Sequence, residues 1–240
     1  MPIHDGTRVE AGTFHRFHHR WTAAIADALN GGRLPPGYLA MVEQVTGRPI
    51  PDLVTLQARE SKEWPEGGIA VATAPPTARG IARFERIAYA KRANCVVIRH
   101  GPGKASIIEI VSPGSKESRH AIRSFNKAVD ILEQGVNPLV IDLFPPTPRD
   151  PQGLHGTIRD ELTGEPFELP PGKPMVVASY LSGDSLETYV EPVGVGDPLP
   201  SLPIFLSEDR YIPAPLGASY REAWAIFPAM LEELLEPTIE

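Results

Sequence analysis

Pro51-Asp52 opens one apolar stretch of the chain, and Glu109 sits inside another, Ile107-Ile108-Glu109-Ile110-Val111. A carboxylate within an apolar strand is costly to bury unless it is paired or bound to a metal. Two carboxylates at adjacent strand positions suit Mg²⁺, a hard cation that takes a few carboxylates and keeps several waters. Such an ion activates water and stabilises the charge that develops as a phosphodiester is cleaved. Basic residues follow at once. Lys116, His120, Arg123 and Lys127 fall at steps of four, three and four, so a helix presents them on one face, where they would neutralise phosphate. Glu43, in the stretch before Asp52, is a candidate additional carboxylate for the ion. Each residue also has a plainer reading. Pro-Asp is a common turn pair, Glu109 can point outward from a half-buried strand, and a basic helix stripe is usually a solvated face.

A second polar group comprises His15, Arg16, His18, His19 and Arg20. His15 and His19 are one helical turn apart and can chelate a transition metal. No glutamate or cysteine completes a known ligand spacing, so the competing reading is an exposed polar face in which His18 and His19 contact phosphate. Cys95 is the only cysteine and lies in the apolar run Cys95-Val96-Val97-Ile98. It reads as a buried structural thiol, and the lack of any disulfide pair fits a reducing compartment. Gly194-Val195-Gly196 has no following helix, so it is not a dinucleotide fingerprint. Ser112, Ser115 and Ser118 lack a Gly-x-Ser-x-Gly elbow and read as turn and cap residues.

The patterning predicts the elements that must hold these residues. Phe14, Phe17, Trp21, Ile25, Ala28 and Leu29 recur at helical spacing over 14–30, and Gly31-Gly32 ends that helix. Tyr38 to Val45 and Leu53 to Gln57 read as strands, as do Cys95 to His100 and Ser106 to Ser112, the last two joined through Gly101-Pro102-Gly103-Lys104. Glu117 to Gln134 reads as an amphipathic helix, with Ile122, Phe125, Val129 and Leu132 as its stripe and Gly135 as its stop. Leu139 to Phe144 is a short buried strand, and the order strand, helix, strand argues a parallel crossover. Beyond residue 145 the chain is rich in proline. A short helix is expected near Leu154 to Leu162, strands at Met175 to Tyr180 and Thr188 to Pro192, an extended stretch at 198–203, and a closing helix from Ser219 to Glu236 kinked at Pro228. The expected class is therefore α/β (α+β). A mixed sheet brings together the strands near Asp52, Ser106 and Leu139, with the 117–134 helix on one face. We expect one domain over residues 1–240, with a core over about 14–144 and a C-terminal extension over about 145–240.

At 240 residues and 42% hydrophobic, the chain can bury a sizeable core. No run approaches the roughly 20 apolar residues that span a bilayer. Met1 to Gly6 lacks the basic and apolar regions of a secretory signal. A cytoplasmic protein with no membrane partner is the expectation. The net charge of −7 is unfavourable for nucleic acid. Positive residues nevertheless cluster at 15–20 and 116–127, which leaves room for a local basic patch. Nucleic acid is the expected partner, and a homodimer stands open beside a monomer.

As a set, Pro51-Asp52, the segment from Ile108 to Lys116, Lys127, Gly135-Val136 and Val140-Ile141-Asp142-Leu143 resemble the Uma-type family of the restriction-endonuclease-like, PD-(D/E)XK superfamily. That family has a Pro-Asp strand, a Glu-Val-Leu-Ser-Pro strand end and a lysine eight residues before Gly-Val. A closer resemblance is to the bacterial domain of unknown function four-thousand-and-fifty-eight. It runs through Phe17-His18-His19, Leu34-Pro35-Pro36-Gly37-Tyr38, Glu109 to Gly114 and Asp197-Pro198-Leu199-Pro200, and covers most of the chain. The resemblance implies an αβββαβ core with Asp52 and Glu109 at the metal position. The superfamily's lysine two residues after the glutamate is Val111 here, so the resemblance implies Lys127 in its place. Three functions follow as expectations: a Mg²⁺-dependent phosphodiester hydrolase, a catalytically inactive descendant that binds nucleic acid or protein, and a protein that shares only the scaffold and binds a small molecule.

Overall fold

The computed structural model describes residues 1–44, 80–84, 94–112, 116, 131–132, 134–148 and 150–227. Asp52, Arg123 and Lys127 lie outside these residues, as do the expected 53–57 strand, most of the 117–134 helix and the kink at Pro228.

The architecture is mixed α/β. Seven strands form one sheet: β1 (Tyr38–Gln44), β2 (Gly80–Phe84), β3 (Asn94–His100), β4 (Gly103–Ile110), β5 (Asn137–Asp142), β6 (Met175–Leu181) and β7 (Leu186–Val193), in the order β1-β3-β4-β5-β6-β7-β2. The β4–β5 pair is parallel and the other five are antiparallel. The expected crossover is therefore present, with Ile108 opposite Leu139. Residues 116, 131 and 132 of the connection are helical. Its end follows the chemistry anticipated for Gly135. That residue has φ of 72°, its N–H donates to the Leu132 carbonyl, and the Val136 N–H donates to the Ile131 carbonyl. This is the two-bond arrangement in which a left-handed glycine satisfies the last carbonyls of a helix.

One face of the sheet is covered by α1 (Ala11–Asn30), α3 (Leu216–Trp224) and a hairpin of β8 (Pro203–Ser207) and β9 (Arg210–Pro213). The helices meet through aromatic rings. Phe17 stacks on Trp224 at 4.5 Å between centroids, Tyr220 stands edge-on to Trp21 at 5.0 Å, and the Trp21 indole N–H donates to Ser219 Oγ at 3.1 Å. The opposite face carries α2 (Gly153–Thr163) and the Ile131-Leu132 end of the crossover helix. Strand alternation explains the division: Ile108 and Ile110 pack with α1, whereas Ile107 and Val111 lie on the other side. Among the described residues no helix is long and apolar enough to cross a membrane.

The β8–β9 hairpin differs from the expectation of an extended stretch ending near residue 203. Pro203 and Pro213 pair at its open end, where a proline removes little from a ladder. α3 also begins earlier than expected, directly after Pro215, which supplies a pre-set φ and no N–H at the helix start.

Candidate functional site

Glu109 lies one residue from the end of β4 and is 5% exposed. Its Cα partner on β5 is Val140. Alternation along β5 then puts Asp142, two residues on, on the same face and near the same end of the sheet. Asp142 belongs to a charge cluster that the sequence did not reveal. The Lys116 ammonium lies 2.9 Å from Asp142 Oδ1 and 3.1 Å from Asp150 Oδ2, and donates to the Phe144 carbonyl at 2.8 Å. The Pro145 carbonyl is a further acceptor at 3.2 Å. Lys116, Asp142 and Asp150 are all buried.

The carboxylates of this cluster are themselves held. Asp142 Oδ2 accepts the Leu154 N–H at 3.0 Å, at the start of α2. Asp150 Oδ1 accepts the Thr147 N–H at 2.9 Å and the Thr147 hydroxyl. Burial raises the Asp142 pKa, and the Lys116 charge only partly opposes that rise. Below the cluster, His155 Nδ1 is 2.8 Å from the Tyr180 hydroxyl. Burial, with help from Arg159, pushes the His155 pKa down to about 3. Burial, with the Asp142 charge, raises that of Tyr180. His155 is thus a neutral core imidazole, and Tyr180 a protonated phenol.

This geometry changes the reading of several expected site residues. Lys116 was expected to face phosphate on an exposed stripe. Its three ammonium protons are instead taken up by Asp142, Asp150 and backbone carbonyls, because the chain following β5 folds back over Lys116. Glu43 was considered as a metal ligand. Its carboxylate takes both Nε and Nη2 of Arg99, at 2.8 and 3.1 Å, in a bidentate pair across β1 and β3. His18 was placed on an exposed polar face, but it is buried, with Nε2 3.1 Å from the Ile110 carbonyl. His19 is exposed, and its Nε2 lies 3.1 Å from Nε2 of His15.

Of the residues expected to hold magnesium, Glu109 is described and buried, Glu43 is paired with Arg99, and Asp52 lies outside the described residues. Among the described residues no group of three or more His, Cys, Asp or Glu side chains is arranged to hold a metal. An open cleft of about 800 Å³ lies at the other end of β4 and β5. It is bordered by Lys104, Asn137, Ser182 and Glu208, and Glu109 is not part of it. Asp142 could have been found from sequence by the argument that found Glu109, since it too is an acid in an apolar strand, Leu139-Val140-Ile141-Asp142.

Compared with protein-family models, curated proteins and solved structures, the chain matches none.

Proposed function

We propose that the chain is a metal-dependent phosphodiester hydrolase of the PD-(D/E)XK type, with Asp52, Glu109 and Lys127 as its acting residues. The observation that carries this reading is Glu109, a carboxylate 5% exposed at the end of a central strand whose neighbours 107, 108, 110 and 111 are all apolar. A carboxylate buried at such a position must be hydrogen-bonded or paired, and a bound cation is one partner that satisfies it. The roles of Asp52 and Lys127 rest on the sequence pattern. In support of an αβββαβ core, α1 precedes β1, β3 and β4 form an antiparallel hairpin, and β4 is joined to parallel β5 by a connection whose residues 116, 131 and 132 are helical.

In this reading Glu109 and Asp52 are the ligands of a magnesium ion, which when bound supplies an activated water. Lys127 stabilises negative charge that develops on the phosphate. The Lys116–Asp142–Asp150 cluster positions rather than reacts, anchoring the start of the crossover helix beside the end of β4. A second reading, an inactive module that binds a partner with the same scaffold, is favoured by the engagement of Lys116 and Glu43 in internal ion pairs.

The test is cleavage of single- and double-stranded DNA and RNA in Mg²⁺ or Mn²⁺, with EDTA as control. Asp52→Ala and Glu109→Gln should each abolish cleavage while leaving thermal unfolding cooperative, and Lys127→Ala should slow it. Binding without cleavage in both metals, unchanged by Asp52→Ala, would replace this reading with the inactive one.

A further inference from the structure

We propose that His15 and His19 form a two-histidine site for a divalent transition-metal cation of the Zn²⁺, Ni²⁺ and Cu²⁺ class on the exposed side of α1. The two Nε2 atoms are 3.1 Å apart and the rings stand at 88° to one another. With metal–nitrogen bonds of about 2.0–2.1 Å, that separation subtends about 95–100° at an ion, between octahedral and tetrahedral angles. The bite therefore suits a borderline cation without moving the backbone.

Three features of α1 hold the pair ready. The helix is 20 residues long, so the one-turn spacing is part of a regular element rather than a loop. His18, between the two, turns inward to the Ile110 carbonyl and sets the helix rotation that leaves His15 and His19 outward. Of the two flanking cations, Arg16 and Arg20, the first is drawn aside, since the Arg16 guanidinium lies over the Phe227 ring at 5.6 Å from its centroid. Imidazole donors select against Mg²⁺, which prefers oxygen, so this site is chemically separate from the one proposed at Glu109. With two protein ligands, the remaining coordination positions stay open to water or to a donor from a bound molecule.

The experiment is calorimetric titration of the full chain, stripped with EDTA, with ZnCl₂, NiCl₂ and MgCl₂, alongside thermal unfolding in the same salts. Binding to the folded state should raise the unfolding temperature saturably. In Asp52→Ala protein, which lacks a ligand of the magnesium site proposed above, the expected result is a 1:1 event with Zn²⁺ and Ni²⁺, absent with Mg²⁺ and reversed by EDTA. His15→Ala and His19→Ala should each weaken it by at least about tenfold, the lower end of the loss seen when even an outer partner of a metal site is removed. Both changes sit on an exposed helix face where alanine favours helix, so the fold is retained. His100→Ala, at an exposed histidine on β3, should leave binding unchanged, and so should Asp52→Ala. Transition-metal binding that survives both α1 changes, or no binding by the unaltered chain, would overturn the proposal and leave the pair as an imidazole–imidazole hydrogen bond only.

Discussion

Lys116 is a charged side chain whose partners come from much later in the chain. Periodicity put it on a basic stripe, and periodicity alone cannot say which end of a stripe is covered by what folds over it. Its removal is expected to be severe, because Asp142 and Asp150 would be left buried without a cation. Lys116→Met should destabilise the protein by about 3–5 kcal/mol in denaturant unfolding, the range for breaking a buried ion pair from one side. His155 makes a prediction of opposite kind. Its folded pKa lies below the unfolded value, so its contribution to stability is present above about pH 6.5 and is lost as pH falls toward about 3. Asp142 acts in the other sense: its raised folded pKa favours the folded state at low pH, and that contribution is lost as pH rises through the folded value. The acid limb of a stability–pH curve should therefore approach a slope of about 1.4 kcal/mol per pH unit from His155, partly offset near its lower end. His155→Gln, which keeps an acceptor for the Tyr180 hydroxyl, should flatten that limb between pH 6.5 and 4.

The elements that were legible in the sequence are those with one apolar face and a marked stop. α1 has its stripe from Phe17 to Leu29 and a glycine end, and the observed helix adds only the first turn. β3, β4 and β5 stand out as apolar runs between turn residues, and the parallel β4–β5 pairing follows from the amphipathic pattern of the sequence between them. The hairpin of β8 and β9 was hidden by its prolines, which mark the ends of the two strands rather than their absence. The charge cluster was hidden for a different reason: its members are brought together by the loop after β5, which no local pattern describes. Asn137, at the start of β5, shows how such a junction is held. Its amide donates to the carbonyls of Ala105 and Phe205, and its Oδ1 accepts the Ser182 N–H at 2.8 Å. Asn137→Ala would leave those groups unpaired, at about 1–3 kcal/mol for each one that water does not reach. A drop in the denaturant midpoint at constant m-value is the expected readout; a change in m would mean that the sheet itself had come apart.

For the molecule as a whole, the sheet is covered on one side by elements from both ends of the described chain. α1 and α3 share an aromatic contact although Trp21 and Ser219, which are hydrogen-bonded, are 198 residues apart. The segment before α1 joins the same closure: the Ile3 N–H donates to the Asp197 carbonyl, and Gly196 N–H returns a bond to Ile3. During synthesis this arrangement imposes a wait. At about 5–20 residues per second, roughly 10–40 s separate the emergence of Trp21 from that of its partner helix. Until then the rings of Phe17 and Trp21 have no α3 to cover them, and the nascent chain presents a sticky aromatic stripe to whatever is near. A ribosome-bound fragment ending before Leu216 should thus engage a holding chaperone through α1, and release should coincide with the arrival of the Tyr220–Trp224 turn.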